Sequence, residues 1–383
     1  MFQLLKKRLA VALLIFVSLS SYGHAQKLDS HSLLPVRLDG KWGYINRSGI
    51  VVIAPQYEMA APFSSGLALV VTDVKVPRPG YISDSGQMAI KPQFWQVQLF
   101  SEGLAPVESC GEWGFINTKG HVVIFPQFVD VAPFSEGLAA VKISERTEGG
   151  QTGEPQWGYV DHNGDVVVAP QFFHAGPFVD GVAKVIVGDF QNGKIGFIDK
   201  TGNFVIKPQF TLGGDFSEGL AAVEVGGKVE NNVHKDGKYG YINKAGEFVI
   251  KPQFASALKF SEGLAKVVLG EQWGEGKSVY IDKTGKIVFD VPPGGDVDNS
   301  EGCENFSEGL ACVAVEGKIG YMDRAGKIVI KPQFDVVTPF INGVASVALG
   351  KYEVTEGVSH FVRLGDKWGY IDKNGKYIWP PSK

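Results

Sequence analysis

The residues with most scope for chemistry lie in one stretch, DVPPGGDVDNSEGCENF (290–306). Asp296, Asp298 and Ser300 alternate there as calcium-loop ligands do, with Glu301 and Glu304 nearby. The pattern departs from the helix–loop–helix calcium loop twice: Gly302 comes one place late for the sharp turn, and Ser307 stands where the twelfth-position Glu is needed. Two readings stay open: a weak calcium site at Asp296, Asp298, Ser300 and Glu301, or a solvated insertion with no cofactor. Three cysteines follow residue 25, namely Cys110, Cys303 and Cys312, an odd count without zinc spacing. In an oxidising compartment Cys303 and Cys312 could pair locally and leave Cys110 free.

Other reactive groups are scattered. The six histidines after residue 25 are His31, His121, His162, His174, His234 and His360, with no HxxxH spacing among them. No GxSxG elbow, Gly-rich phosphate loop or CxxC occurs. A Glu recurs in FSEG at Glu102, Glu136, Glu218, Glu262 and Glu308, but Asp180, Asn342 and Ser65 replace it elsewhere. Acid–base catalysis does not survive such exchanges, whereas a turn does. The chain therefore reads as a non-enzyme. The competing class, a hydrolase or lyase with a pocket at the centre of a propeller, needs unique polar residues converging from several repeats. The sequence by itself displays no such set.

Residues 1–25 read as a signal peptide. Lys6, Lys7 and Arg8 precede the apolar run LAVALLIFVSLS (9–20), and GHA ends at Ala25 with small residues at −3 and −1. The apolar run is short for a membrane span. Cleavage before Gln26 predicts a periplasmic or extracellular protein without a remaining span. It removes three positive charges and no acid, so a net charge of −4 becomes −7. A mildly acidic chain without a Lys/Arg block is not built for nucleic acid.

What must position any site is a repeat. An aromatic after Gly recurs at Tyr44, Tyr81, Phe115, Tyr159, Phe197, Tyr241, Tyr321 and Tyr370; Tyr280 follows Val279 instead. Nineteen residues separate that aromatic from the Phe of FSEG in seven of eight repeats, as from Tyr44 to Phe63, and 26 in the eighth, from Tyr280 to Phe306. From the Phe to the Val closing LAxV the gap is always 7, as from Phe63 to Val70. From that Val to the next aromatic it varies from 8 to 23. After a short linker (26–32), an array of about nine repeats fills 33–383.

Each repeat reads as strands. WGYID and VVIxPQF are short, aromatic and β-branched, and are joined by quartets such as NRSG, NTKG and DKTG, where Asn or Asp opens a turn and Gly closes it. The Pro of PQF lacks a ladder donor and belongs at a strand end or edge. GLAxV supplies a third strand. Val51, Val52 and Ile53 put apolar residues on both faces of one strand, which predicts cover on both sides. The expected fold is all-β: tandem three-stranded antiparallel sheets stacked face to face, propeller-like, with an open β-superhelix as the alternative. The Gly of WGY is expected to lie under the flanking Trp and Tyr rings.

These words resemble the WG-repeat (KWG) family of tandem bacterial repeats, named for the KWGYI step present at 41–45 and 367–371. The resemblance covers about 33–383. It implies an interaction module, often exported, with no catalytic motif. Val279 and the missing PQF after Ile287 depart from the pattern, so the geometry of that repeat is open.

The elastic segments, 142–156, 186–194, 224–238, 268–278 and 348–367, fall at one place in the repeat and should emerge along one rim. They carry the aromatics Phe190, Trp273, Tyr352 and Phe361. Loops on a rigid frame are where recognition concentrates. The expected function is an exported scaffold that binds a protein or envelope glycan through those loops.

Overall fold

The quartet turns form as their side chains dictate. Asn46 Oδ1 accepts the backbone N–H groups of Ser48 at 2.9 Å and Ile50 at 3.0 Å. Asn117, Asp199, Asn243, Asp282, Asp323 and Asp372 do the same in later repeats. The structure, a computed structural model, describes residues 33–73, 78–144, 154–189, 192–230, 233–235, 237–272, 275–294, 303–350 and 367–382. The predicted signal peptide and linker lie outside the described residues. Among the described residues there is no helix, so none is long and apolar enough to cross a membrane.

Among the described residues the strands make nine small antiparallel sheets of three or four strands, the blade form of a β-propeller, plus one two-stranded ribbon. The chain divides into two units, residues 1–143 with 162–165 and 342–383, and residues 144–161 with 166–341. The first unit holds sheet 1 (Leu34–Leu38, Lys41–Ile45, Val51–Tyr57) and sheet 2 (Met59–Ser64, Leu67–Val71, Pro79–Ile82, Met88–Ile90). Sheet 3 (Gln96–Val97, Leu104–Ser109, Glu112–Asn117, Val122–Phe128) follows, then the sheet 4 strands Asp130–Val131 and Ala139–Ile143. The sheet 9 strands Val344–Leu349, Lys367–Asp372 and Tyr377–Ser382 complete this unit. In the second unit, Gln156–Val160 pairs with Val166–Phe172. Sheet 5 (His174–Val179, Val182–Val187, Lys194–Ile198, Phe204–Phe210) and sheet 6 (Ala221–Val225, Lys238–Ile242, Phe248–Phe254) come next. Sheets 7 (Ser256–Ala257, Leu264–Gln272, Glu275–Asp282, Ile287–Asp290) and 8 (Leu310–Val315, Lys318–Asp323, Ile328–Phe334) end it.

Sequence repeat and sheet are out of phase. The LAxV strand pairs with the WG strand that follows it, as Leu67–Val71 does with Pro79–Ile82. The elastic segment is thus a hairpin inside one sheet. The invariant 19-residue block instead bridges two sheets, with Tyr44 in sheet 1 and Phe63 in sheet 2. Their rings meet at 5.1 Å, and the equivalent pairs from Tyr81–Phe100 to Tyr321–Phe340 lie at 4.7 to 5.2 Å. Edge-on and tilted aromatic contacts at this range add to the burial of large rings. The spacing is constant because it sets this contact.

Two packing expectations are corrected. The VVI strand is the edge of its sheet, and Val51 and Val52 are 40% and 50% exposed while Ile53 is buried. An edge strand at a sheet's outer limit is not covered on both sides. The Gly of WGY lies against the backbone of that edge strand rather than under its neighbouring rings. Between Trp42↔Tyr57 and Tyr44↔Ile53 the register shifts, so the PQ segment bulges. A Cβ on Gly43 would stand 2.5 Å from Ile53 O and 2.7 Å from Pro55 N.

Sheet 7 departs from this rule twice, in compensating ways. Val279 pairs with Asp290 and Tyr280 with Phe289, with no shift between them. Without PQF there is no bulge there, and without the bulge a Val side chain fits.

Candidate functional site

The most repeated side chains hold sheets to each other. Tyr44 Oη donates to Ala61 O at 2.9 Å, Tyr159 to Gly176 O at 2.8 Å and Tyr241 to Leu258 O at 2.8 Å. All three hydroxyls run from one sheet to the next, and burial pushes each tyrosine's pKa far up, fixing it as a donor. Ser64, Ser101, Ser217, Ser261 and Ser307 each donate through Oγ to the next sheet's Phe carbonyl. Within the first unit, sheet 9 meets sheet 1: Tyr370 Oη donates to Pro35 O at 2.7 Å, and Arg47 donates to the Asn342 carbonyl. First and last sheets are neighbours, as in a propeller and unlike the ends of an open superhelix.

The Glu of FSEG belongs to this frame. It adopts φ of 52° to 55° in every copy, and Ser65, Asp180 and Asn342 hold the same backbone form. Its carboxylate reaches the next sheet: Glu102 accepts from Gly137 N at 3.0 Å, Asp180 from Gly219 N at 3.1 Å and Glu218 from Gly263 N at 3.0 Å. His162 Nε2 lies 3.3 Å from Glu102, and its ring stacks on Phe134. Lys283 Nζ lies 3.1 Å from Glu218. Burial alone would raise the pKa of Glu218; the bonds from Lys283 and Gly263 outweigh it and hold the carboxyl below its usual range.

Because Gly137 and His162 both touch Glu102, the FSEG turn and the quartet turn occupy the same end of sheet 4. Antiparallel strands then put the elastic hairpin at the opposite end of each sheet. Of the segments nominated from sequence, 224–238 contains a ribbon of Lys228–Glu230 against Val233–Lys235. Segment 268–278 lies in the long hairpin of Leu264–Gln272 and Glu275–Asp282. Phe190, Trp273, Tyr352 and Phe361 lie outside the described residues, as do Asp296, Asp298, Ser300 and Glu301. Cys303 and Cys312 are joined, with Cα atoms 5.3 Å apart, and Cys110 is free and exposed.

The sequence reading missed two features. At the hairpin end of the first unit, the Arg78 guanidinium lies 4.3 Å over the ring of Trp95, which is 51% exposed. A signal existed: Trp95 directly follows PQF, where Glu58, Thr211, Ala255 and Asp335 stand in other repeats. The second is two ion pairs between neighbouring repeats of the second unit, Lys184 with Asp215 at 3.4 Å and Lys266 with Glu304.

A ladder of inter-sheet bonds with variable hairpins at the other end defines a tandem-repeat scaffold of the propeller class. The chain belongs to the WG-containing repeat family, whose model matches residues 42–73, 80–109, 113–145, 157–193, 195–228, 239–273 and 319–352. No curated protein matches the sequence. Among solved structures, one described as the eukaryotic initiation factor is similar at 12% identity and a TM-score of 0.59, over 92% of this chain and 95% of that one. This likeness concerns the fold. The β-propeller domain of the Trilobed protease from Pyrococcus furiosus matches at 11% identity and a TM-score of 0.40, over 75% of this chain and 98% of its own.

Proposed function

We propose that this chain is an exported, non-enzymatic scaffold that binds a protein or an envelope glycan through the variable hairpins at one end of its sheets. One observation carries this reading. The constant side chains are engaged between sheets, while the large changes in length, the seven extra residues between Tyr280 and Phe306 apart, fall in the hairpin between the LAxV strand and the WG strand. Loops tolerate insertion cheaply, so the frame is unaffected by what they carry. Trp95 under Arg78 adds a large exposed ring to the same end, and such rings stack on sugars and peptides alike. The N-terminal pattern of residues 1–25 supports export to the periplasm or the medium. The acidic net charge supports partners other than nucleic acid, and the binding reading requires no cofactor.

The test is capture from envelope extract by the chain from Gln26 onward, beside a variant lacking 351–366, which leaves the strands Val344–Leu349 and Lys367–Asp372 whole. The deletion should abolish capture of at least one partner and leave the β circular dichroism unchanged. Capture that is the same with and without the hairpin overturns the reading.

A further inference from the structure

The quartet turns and the FSEG turns answer each other across neighbouring sheets. His162 of sheet 4 lies against Glu102, in the turn that enters sheet 3, and Lys283 of sheet 7 lies against Glu218, in the turn that enters sheet 6. Lys244 of sheet 6 donates to the Asp180 carbonyl in sheet 5, and Arg47 of sheet 1 to the Asn342 carbonyl at the entry to sheet 9. The second residue of a quartet thus meets the third residue of the FSEG turn one sheet earlier. Sequence keeps the two in step. Seven of the nine quartets carry Arg, Lys or His in second place, and the seven turns they answer carry Glu, Asp or Asn in third. Thr118 answers Ser65, neutral against neutral. Asp84 is the remaining quartet residue and the only acid in the series.

The turn that Asp84 answers precedes sheet 1. LLPV (33–36) aligns without gaps on LAPV (104–107), which sets Asp29, Ser30, His31 and Ser32 at the places of Phe100, Ser101, Glu102 and Gly103. His31 stands where the acid is usual, opposite an acid where the cation is usual. The charges are exchanged, not lost.

The inner edge of sheet 1 is open to the same segment. Among the described residues Leu34–Leu38 pairs on one side only, with Lys41–Ile45. In other sheets an inner strand lies on the second side and pairs the LAxV valine with the residue ten places before it, as Val70 with Ala60, Val107 with Val97 and Val267 with Ala257. Counting ten back from Val36 gives Gln26, the first residue after the predicted cleavage. Tyr370 registers the open edge. Its counterpart Tyr81 donates to Gln98 O, on the inner segment of the next sheet, at 2.6 Å, whereas Tyr370 reaches past that place to Pro35 O.

We propose that residues 26–32 dock on this edge as the inner strand and entering turn of sheet 1, with His31 paired to Asp84 of sheet 2. An edge strand offers its N–H and C=O groups to an added strand, and this segment joins the edge without an intervening loop to order. Asp84 supplies the selectivity. A Glu-bearing turn, from this chain or from a second copy, would set two carboxylates together there.

Melting of the chain from Gln26 onward at about pH 6, where an ordinary imidazole is mostly protonated, tests the pairing. His31→Glu and Asp84→Lys should each lower the melting temperature by about 1–2 °C, and the double variant, which restores the usual order of charge, should return it to the parent value. Shifts that simply add in the double variant, or no shift in either single one, overturn the proposal. Contact is read separately. In His31→Lys, a zero-length carbodiimide should join the introduced amine to the Asp84 carboxylate as an amide within one chain, identified by peptide mapping and lost when Asp84→Asn is added. An amide from position 31 to a different carboxylate, or to Asp84 of a second chain, overturns the proposal as well.

Discussion

Tyr370 Oη donates to the Pro35 carbonyl at 2.7 Å, joining residues 335 positions apart in sequence. The same hydroxyl elsewhere joins residues 17 apart, as Tyr44 and Ala61 are. The last sheet therefore treats the first as its next neighbour. Phe115 and Phe197 show that a repeat can exist without this bond, which places its worth at the ordinary value for a hydrogen bond. Tyr370→Phe should cost about 1 kcal/mol in urea denaturation, with an unchanged slope. A shift of the same size should follow Tyr241→Phe, since the two bonds are built alike.

Gly240 faces Ile250 O and Pro252 N, which a Cβ would approach to 2.6 and 2.7 Å. Gly240→Ala should destabilise by about 1–3 kcal/mol, the range for overpacking. Val279 occupies the same position in a sheet without the bulge, so Val279→Gly should lose only packing and chain stiffness. Its midpoint in urea should also fall, but no steric relief should appear when Asp290 is shortened to Ala.

The Glu218 carboxyl is held below its ordinary pKa of 4.5 by Lys283 and the Gly263 N–H, against the effect of burial. A folded-state pKa below the unfolded one gives stability that is complete above the unfolded value. That stability is lost as pH falls through the lowered value. The difference in melting temperature between the parent and Glu218→Gln should therefore be constant near neutrality and shrink below pH 4.5. A difference that grows on acidification contradicts this assignment.

The Cys303–Cys312 bridge closes a short loop, with a sequence separation of 9. Cys312 N also donates to Cys303 O at 2.9 Å, so the two chains are already aligned. Chain-entropy arguments for a loop of this length give about 2–3 kcal/mol. Reduction should lower the melting temperature in a Cys110→Ala background and leave a Cys303→Ser, Cys312→Ser double variant unmoved.

Much of the local structure was legible. Asn and Asp in the quartets announced their turns because each side chain bonds its own backbone two and four residues on. The Pro of PQF announced an edge, and it sits in one. The exchange of Glu for Asp, Asn and Ser in FSEG pointed to a turn, and all adopt the same positive φ. The ion pairs of Lys184 with Asp215 and of Lys266 with Glu304 were not legible, because the members of each come from different repeats. Nor was the stacking of Arg78 on Trp95, which joins a hairpin of one sheet to the linker of the next.

By itself the sequence determined the strands, their turns, the family and the constancy of the 19-residue spacing, since all of these follow from local bonding and periodicity. Only the tertiary structure decided what that spacing is for. Read along the chain, KWGYI to FSSG looks like one unit; in space it spans a junction, with Tyr44 in one sheet and Phe63 in the next. Periodicity fixes a repeat length but not its phase, because every choice of starting residue gives the same pattern. Strand pairing fixes the phase, and with it which residues face each other across sheets and which hairpins remain free to vary.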